Sequence, residues 1–217
     1  MNKILTFECG PVATNCYLVG SDETSLAFLV DAPKDCSGPV LAALEQHGWT
    51  LVDILLTHTH WDHTADCAHL QSRTGARVVV HHDDIYRLTD PMAHTLWPLP
   101  FTIPPVTVFE TLTGDGGVLE ILNGTALLAW VHTPGHTEGG MCFLDDRQQR
   151  AYVGDTLFAG SIGRTDLPGG NMDVLCRSIK EELFCLPDEV MVYPGHGPTT
   201  IIGDEKMFNP FVGLQTS

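Results

Sequence analysis

The chain reads THTHWDH over residues 57–63, so four side chains that can bind metal fall within six residues. This stretch directly follows residues 52–56, a nearly continuous apolar run that predicts a buried strand. A strand end releases the chain into a turn, where alternate side chains can converge on one point. Imidazole and carboxylate groups suit Zn²⁺, Fe and Mn²⁺. The stretch therefore predicts a metal site at the end of a buried strand.

A polar turn that caps a helix over residues 64–74 is the alternative interpretation of the same stretch. It would place Asp62 near the helix N-terminus, where an acidic side chain is favourable. That interpretation accounts for Asp62 but not for the three histidines. A His-x-His-x-Asp-His string arises by chance in roughly two chains per thousand at this composition, so the pattern favours metal binding.

Three further segments share one pattern, in which an apolar strand ends in a glycine-rich turn with a polar residue at its tip. They read VHTPGH at 131–136, VGDT at 153–156 and VYPGHG at 192–197. Each segment alone is typical of an ordinary turn. Strand ends that point the same way would bring all three polar tips to one edge, together with the THTHWDH stretch.

The candidate ligands number seven, which is enough for two metal ions. The first ion would be held by His58, His60 and His136, the second by Asp62, His63 and His196, and Asp155 can bridge the two ions with its two oxygens. Two divalent ions, with Zn²⁺ favoured over Fe or Mn, contribute about +4 against about −2 from the carboxylates. The mouth of the site would then attract carboxylates, thioesters or phosphates, although the net charge of the chain is −16.

The composition of the 217 residues bounds the class of protein. The length suits one domain over residues 1–217, and the charge of −16 argues against nucleic-acid and membrane-surface partners. No apolar run is long enough to span a membrane, and the N-terminus lacks a secretory signal pattern. The cysteines include no Cys-x-x-Cys pair, which fits reduced thiols and a cytoplasmic location. They are Cys9, Cys16, Cys36, Cys67, Cys142, Cys176 and Cys185.

Strand and helix signals come in two batches. The first batch contains an antiparallel meander over 3–8, 15–20 and 26–31, strands over 52–56 and 78–80, and helices over 38–47 and 64–74. The second contains strands over 106–109, 118–122, 125–132, 140–144, 151–153 and 189–193, and a helix over 172–184. This order predicts an α+β fold in which two sheets pack face to face with helices outside. A proline-rich stretch over 89–105, which carries Trp97 and Phe101, predicts a long loop of the kind that forms lids and binding loops.

The THTHWDH stretch resembles the metal-binding motif of the metallo-β-lactamase superfamily, whose fold is a four-layer αββα sandwich with a metal site at one edge. The match extends from GP at 10–11 to PGHG at 194–197, which is essentially the whole chain. The stretch from GDTLF at 154–158 to GRTD at 163–166 resembles the glyoxalase II (hydroxyacylglutathione hydrolase) branch in its short, single-domain form. In that branch the seven residues named above are the metal ligands, and each position matches here.

This resemblance implies a thioester hydrolase that cleaves S-D-lactoylglutathione to D-lactate and glutathione. A hydroxide bridging two metal ions would attack the thioester carbonyl, a metal would stabilise the oxyanion, and the thiolate would leave. Asp62 would orient the nucleophile or accept its proton. The partner would be a small anionic thioester, with glutathione-derived compounds as the first candidates.

The chain departs from full-length glyoxalase II in its C-terminal part. Full-length enzymes carry a helical domain with basic residues that grip glutathione, whereas residues 203–217 contain only Lys206 as a basic residue. Arg164 matches a basic residue near the glutathione carboxylate and is the substrate-binding candidate, with an ion pair to Asp166 as its alternative role. The loop over 89–105 could form the wall of the substrate site that the helical domain supplies in full-length enzymes. Its alternative role is that of an ordinary surface loop.

Other activities stay open. A persulfide dioxygenase would use one iron held by His58, His136 and Asp155, and its resemblance lies in the same GRTD stretch. A β-lactamase fits less well, because those enzymes do not use a bridging carboxylate such as Asp155. The last alternative is a metal-binding module without activity, against which the complete ligand set argues.

Overall fold

The computed structural model describes residues 3–214. The chain forms two compact units. Among the described residues, the first unit comprises 3–112 together with 120–126, and the second comprises 113–119 together with 127–214. Within the described range, no helix combines the length and the apolar character needed to cross a membrane. One domain over residues 1–217 stays a prediction.

The first unit is built on a mixed six-stranded sheet. Its strands in spatial order are β1 (Lys3–Cys9), β2 (Thr14–Ser21), β3 (Leu26–Val30), β4 (Thr50–Leu55), β5 (Arg77–His81) and β6 (Glu110–Leu112). The first three strands pair antiparallel, as predicted for the meander, and β3 to β6 pair in parallel. The central strands β3, β4 and β5 are almost entirely buried, which explains why their sequences are nearly continuous apolar runs.

Four α-helices accompany this sheet. They are α1 (Ser37–His47), α2 (Trp61–Thr64), α3 (Cys67–Thr74) and α4 (Ile85–Thr89). Helices α1 and α3 end at Gly48 and Gly75, as predicted, and both glycines adopt the left-handed backbone conformation of a helix C-cap. A 3₁₀ turn over His82–Asp84 leads into α4.

The continuous helix predicted over 64–74 is wrong, because α2 ends at Thr64 and α3 begins at Cys67. The interruption centres on Asp66. Its amide donates to the carbonyl of Ala32 at 3.0 Å, and its carboxylate accepts from the amide and the hydroxyl of Ser37. These bonds tie Asp66 to Ala32 and to the first residue of α1 instead of continuing the helix.

The strand predicted over 106–109 is also wrong, since the strand in this region is β6, three residues later. The amide of Val106 donates to the carbonyl of Leu88 at 3.1 Å, outside the sheet. Val108 is 73% exposed, and its carbonyl accepts from the side chain of Gln71 at 2.8 Å. The apolar side chains over 106–109 therefore pack locally or face solvent, and this stretch does not form a strand.

The other mixed sheet lies mostly in the second unit. Its strands in spatial order are β7 (Gly116–Ile121), β8 (Ala126–His132), β9 (Met141–Asp145), β10 (Arg150–Gly154), β13 (Met191–Pro194) and β14 (Thr200–Ile201). Strands β10 and β13 pair in parallel, whereas β8, β9 and β10 pair antiparallel. A two-stranded sheet of β11 (Leu157–Phe158) and β12 (Ser161–Ile162) follows β10 along the chain.

The helix predicted over 172–184 corresponds to α5 (Met172–Ser178) and a π-helical turn over Ile179–Leu183. The side chain of Asn171 caps α5 by accepting from the amide of Val174 at 3.1 Å. A further helix, α6 (Ile202–Phe208), lies outside the predictions. Each unit thus combines a mixed sheet with helices, which is the α+β composition that the sequence predicts.

Candidate metal centre

The THTHWDH turn begins where β4 ends, and a buried carboxylate holds both of its ends. Asp31, which follows β3 and is 2% exposed, accepts from the amide and the hydroxyl of Thr57, each at 2.8 Å. The same carboxylate accepts from Nδ1 of His63 at 2.8 Å. One acidic side chain therefore closes the turn by binding its first and last residues.

A second buried carboxylate holds the middle of the turn. Asp84, which is fully buried, accepts from the amide of Thr59 at 2.9 Å, and its own carbonyl accepts from the Thr59 hydroxyl at 2.8 Å. Arg87 donates to the other carboxylate oxygen at 3.0 Å and compensates the charge. Because Thr59 lies between two histidines of the motif, Asp84 fixes the backbone that carries both.

The four donor-bearing side chains of the turn lie close together. The ring centroid of His58 lies 4.0 Å from that of His63 and 5.0 Å from that of His60. Oδ2 of Asp62 lies 3.5 Å from Nε2 of His63 and accepts from the hydroxyl of Thr14 at 3.2 Å. His58 and His63 are buried, whereas His60 and Asp62 are partly exposed. The turn thus places metal-binding nitrogen and oxygen atoms at positions that range from the buried core to the partly exposed surface.

Three donors of the second unit come from three separate strand ends. His136 follows β8, Asp155 follows β10 and His196 follows β13. Oδ2 of Asp155 lies 3.5 Å from Nε2 of His136 and 3.6 Å from Nε2 of His196. Parallel pairing brings the ends of β10 and β13 together, and the amide of Gly195 donates to the carbonyl of Gly154 at 2.8 Å.

Backbone groups, instead of carboxylates, hold His136. Its Nδ1 donates to the carbonyl of Arg164 at 2.7 Å. Gly163 permits this approach, because a Cβ there would lie 1.8 Å from the carbonyl oxygen of Asp155 and 3.2 Å from Nδ1 of His136. Gly135, at φ +126°, is equally constrained, since its Cβ would lie 2.3 Å from the backbone of α5.

Two histidines of the donor set are held as metal-ligating histidines usually are. A metal-ligating imidazole usually donates the proton of its other ring nitrogen to a carboxylate or a backbone carbonyl. His63 does so to Asp31 and His136 does so to the carbonyl of Arg164, so Nε2 of each ring carries the lone pair that a metal binds. All seven predicted ligands belong to groups of His and Asp side chains that could hold a metal ion. Donors of these types suit Zn²⁺, Fe and Mn²⁺.

The predicted ligands thus form one group in each unit. The first unit brings together His58, His60, Asp62 and His63, and the second brings together His136, Asp155 and His196. The assignment of each residue to a particular ion stays a prediction.

Arg164, the predicted substrate-binding residue, forms an exposed ion pair. Its guanidinium donates to both carboxylate oxygens of Asp166 at 2.7 Å. These hydrogen bonds lower the pKa of Asp166 to about 2 and raise the pKa of Arg164. The alternative role of Arg164 is therefore observed, while a contact with substrate stays a prediction.

The proline-rich loop over 89–105 reaches the helix that carries two of the donors. The ring centroid of Phe101 lies 6.0 Å from that of Trp61, the residue before Asp62. Nζ of Lys34 lies 5.5 Å from the centroid of the Phe101 ring. An aromatic side chain of the loop therefore packs beside the ligand turn.

Sequence reasoning missed the residues that support the ligands, namely Asp31, Asp84, Thr14 and the carbonyl of Arg164. A signal existed for Asp31, because it stands directly after the apolar run 26–30, as each ligand group stands after a strand. No comparable signal existed for Asp84, which is one of two adjacent acids in the turn HHDD at 81–84.

Comparison with known proteins finds relatives that match along most of the chain. Among curated proteins, the Mycobacterium leprae protein ML0493 is 36% identical, covering 96% of this chain and 98% of its own length. The Bacillus subtilis protein YqgX, named a probable metallo-hydrolase, is 33% identical with 94% of each chain covered. The Haemophilus influenzae hydroxyacylglutathione hydrolase GloC is 32% identical, covering 93% of this chain and 94% of its own.

Two solved structures match along nearly their whole length. The BLEG-1 B3 metallo-β-lactamase is 32% identical with a TM-score of 0.89, covering 97% of this chain and 99% of that one. TTHA1623 in a di-iron-bound form is 35% identical with a TM-score of 0.82, covering 95% and 99%. The model of the metallo-β-lactamase superfamily matches residues 9–196. The fold implied by the resemblance is thus confirmed, and the chain belongs to the metallo-β-lactamase superfamily.

Proposed function

We propose that this protein is a metal-dependent hydrolase that cleaves S-D-lactoylglutathione or a related acyl thioester, as glyoxalase II does. The observation that carries the proposal is the complete set of His and Asp donors, with Nδ1 of His63 and His136 anchored for metal binding. Membership of the superfamily supports the assignment as a metal-dependent hydrolase. The similarity to GloC along 94% of that protein supports the thioester substrate.

The proposed site would hold two ions. His58, His60 and His136 would bind one ion, Asp62, His63 and His196 would bind the other, and Asp155 would serve both. Two divalent ions bound there would make water ionise near neutral pH and would polarise the thioester carbonyl. The di-iron-bound form of TTHA1623 supports two ions, with Zn²⁺, Fe and Mn²⁺ as the candidates.

Asp62 is the residue proposed to handle the proton of the attacking water. Its side chain is 15% exposed, whereas that of His63 is fully buried, so substrate and solvent reach the carboxylate more easily than the ring. The hydroxyl of Thr14 donates to Oδ2 of Asp62 and fixes the orientation of the carboxylate. A carboxylate fixed in this way can align a water molecule and accept its proton at an oxygen atom.

A second candidate function is β-lactam hydrolysis, which the similarity to BLEG-1 favours. Both reactions are attacks of water on an activated acyl group, so the type of reaction does not discriminate between them. The leaving groups differ, because a thioester releases a thiolate and a β-lactam releases the ring nitrogen. The substrate-contacting residues must therefore decide between the two.

The deciding experiment combines the metal content of the purified protein with three assays. Close to two metals per chain and turnover of S-D-lactoylglutathione are expected. His58→Ala should lose bound metal and thioester turnover, whereas the exposed His69→Ala should keep the metal content and the turnover of the unaltered protein. Turnover of a β-lactam without thioester turnover would move the protein to the second candidate. One iron per chain with oxygen uptake on glutathione persulfide, or no bound metal, would overturn the proposal.

A further inference from the structure

Four of the seven cysteines lie in one part of the first unit, outside the ligand groups. Cys16, Cys36 and Cys67 are completely buried in the apolar core of this unit. Cys9, the last residue of β1, packs against the same core and is partly exposed. The thiols therefore run from the surface at Cys9 into the interior.

Cys9 and Cys16 share one face of the hairpin formed by β1 and β2. Cys9 lies opposite Thr14, and Cys16 lies opposite Phe7, so the two cysteines are diagonal neighbours. A partly exposed cysteine is thus the diagonal neighbour of a buried one.

The two thiols of the pair differ in reactivity. The hydrogen bond from Cys16 lowers the pKa of Cys9, whereas hydrogen bonds with Cys36 and Cys9 and burial raise the pKa of Cys16. The thiolate is the nucleophilic form of cysteine, and an exposed thiolate reacts with oxidants. Cys9 therefore suits the role of attacking thiol, and Cys16 suits the role of its partner.

We propose that Cys9 is a site of oxidation by hydroperoxides and that Cys16 converts the product into a disulfide. The Cys9 thiolate attacks the terminal oxygen of the hydroperoxide, the O–O bond breaks, and an alcohol or water leaves after taking up a proton. Cys9 is then a sulfenic acid. The Cys16 sulfur attacks the sulfur of Cys9, and the S–O bond breaks with release of water. The two thiols lose two electrons in all, and the peroxide gains them.

The disulfide would act on the ligand turn through Thr14. Diagonal neighbours on paired strands have Cα atoms about 7–8 Å apart, beyond the roughly 4.4–6.8 Å usual for a disulfide, so closing the bond has to draw the strands together. The adjacent turn, with Gly10 at φ +73° and Ala13 at φ +55°, would have to shift. Thr14, opposite Cys9, would move with it and weaken its hydrogen bond to Asp62. This consequence rests on the proposed role of Asp62, whereas the disulfide itself does not.

Peptide mass spectrometry after hydrogen peroxide treatment of the full-length protein tests the proposal directly. Trypsin releases residues 4–34 as one peptide that contains Cys9 and Cys16, and residues 35–73 as another that contains Cys36 and Cys67. A disulfide between Cys9 and Cys16 removes two hydrogen atoms from the first peptide without linking it to the second. This readout needs neither metal nor substrate, so it is independent of the proposed hydrolase activity.

Three variants sharpen the test. In Cys16→Ser the reaction should stop after oxygen is added to Cys9, without a disulfide. In Cys9→Ser the 4–34 peptide should stay unoxidised. Cys185→Ser, which removes the exposed cysteine of the second unit, should behave as the unaltered protein. A 4–34 peptide that stays reduced while Cys185 oxidises would overturn the proposal. So would a cross-link between the two peptides, since that product requires Cys16 or Cys9 to pair with Cys36 or Cys67.

Discussion

The two ligand groups offer the same donor types but are supported in different ways. In the first unit, one contiguous turn over 57–63 carries four donors, and the buried carboxylates of Asp31 and Asp84 bind its backbone and one of its rings. In the second unit, three strand ends between residues 136 and 196 carry one donor each. There, a backbone carbonyl and close-packed glycines hold the donors.

This difference follows from how each group must be built. A contiguous stretch has to bend sharply for its side chains to converge, so its buried amides and hydroxyls need acceptors, which Asp31 and Asp84 provide. Strand ends already meet at the edge of a sheet, so the second group needs only room for backbones to approach. Removing an acceptor should therefore damage the first group, and adding a methyl group should damage the second.

Asp155→Ala should have the largest effect, because Asp155 contacts both histidines of its group and is proposed to serve both ions. We expect the metal content to fall below one ion per chain and turnover to fall on the order of 100-fold or more. Mass spectrometry of bound metal and the thioester assay measure the two effects. The exposed Asp146→Ala is the control. A fully metallated, active Asp155→Ala protein would show that Asp155 is not shared.

Asp31→Asn tests the carboxylate support of the first group. The amide group would face donors that the carboxylate now accepts from, which should cost about 2–3 kcal/mol of unfolding free energy. His63 should also lose its preferred tautomer, so metal affinity should fall about 10- to 100-fold. Denaturation of the metal-free protein and metal titration measure these quantities.

Asp53→Asn is the matched control for this variant. Asp53 is equally buried in the first unit, and it binds Arg77 and the amide of Leu122, away from the ligand turn. It should lower the free energy of unfolding without changing metal affinity. Equal metal affinities in both variants would refute the role of Asp31 in holding the ligand turn.

Gly163→Ala tests the steric support of the second group. The added Cβ would collide with the carbonyl of Asp155 and press on His136. We expect a loss of about 1–3 kcal/mol in unfolding free energy and a roughly 10-fold loss of metal affinity. Gly38→Ala, where nothing lies within 4 Å of the new Cβ, should change neither quantity in this direction. Wild-type affinity in Gly163→Ala would mean that the turn can relax without moving His136.

The predictability of the fold also differs between regions. The meander, the buried strand before the ligand turn and the glycine ends of α1 and α3 follow local rules, so sequence patterns predicted them. The break at Asp66 and the position of β6 depend on partners 29 or more residues away in the chain. Hydrophobic periodicity carries no information about such partners, which explains both errors.

The candidate site was predictable in its donors but not in its supports. Each donor stands at a strand end beside a turn, and this placement can be read from the chain. Asp31 and Asp84 support the ligand turn through hydrogen bonds that span 25 to 32 residues, and Arg164 supports His136 through its backbone. A backbone carbonyl has no residue type, so no sequence pattern could have indicated that role.

Arg164→Ala should have the smallest effect, and it separates the two roles of this residue. Its side chain is 52% exposed, and its pair with Asp166 is screened by solvent, so the free energy of unfolding should barely change. Its carbonyl would still accept from His136, so metal affinity should stay as it is. If the guanidinium contacts substrate, KM for an anionic thioester should rise several-fold, with kcat and the KM of a neutral thioester unchanged.

The lowered pKa of Asp166, about 2, keeps the pair charged at assay pH, and the stability it contributes is lost only as pH falls toward that value. The exposed Arg147→Ala controls for a general loss of positive charge. Equal changes of KM for both thioesters would make Arg164 a structural residue whose contribution to the second ligand group is its backbone alone.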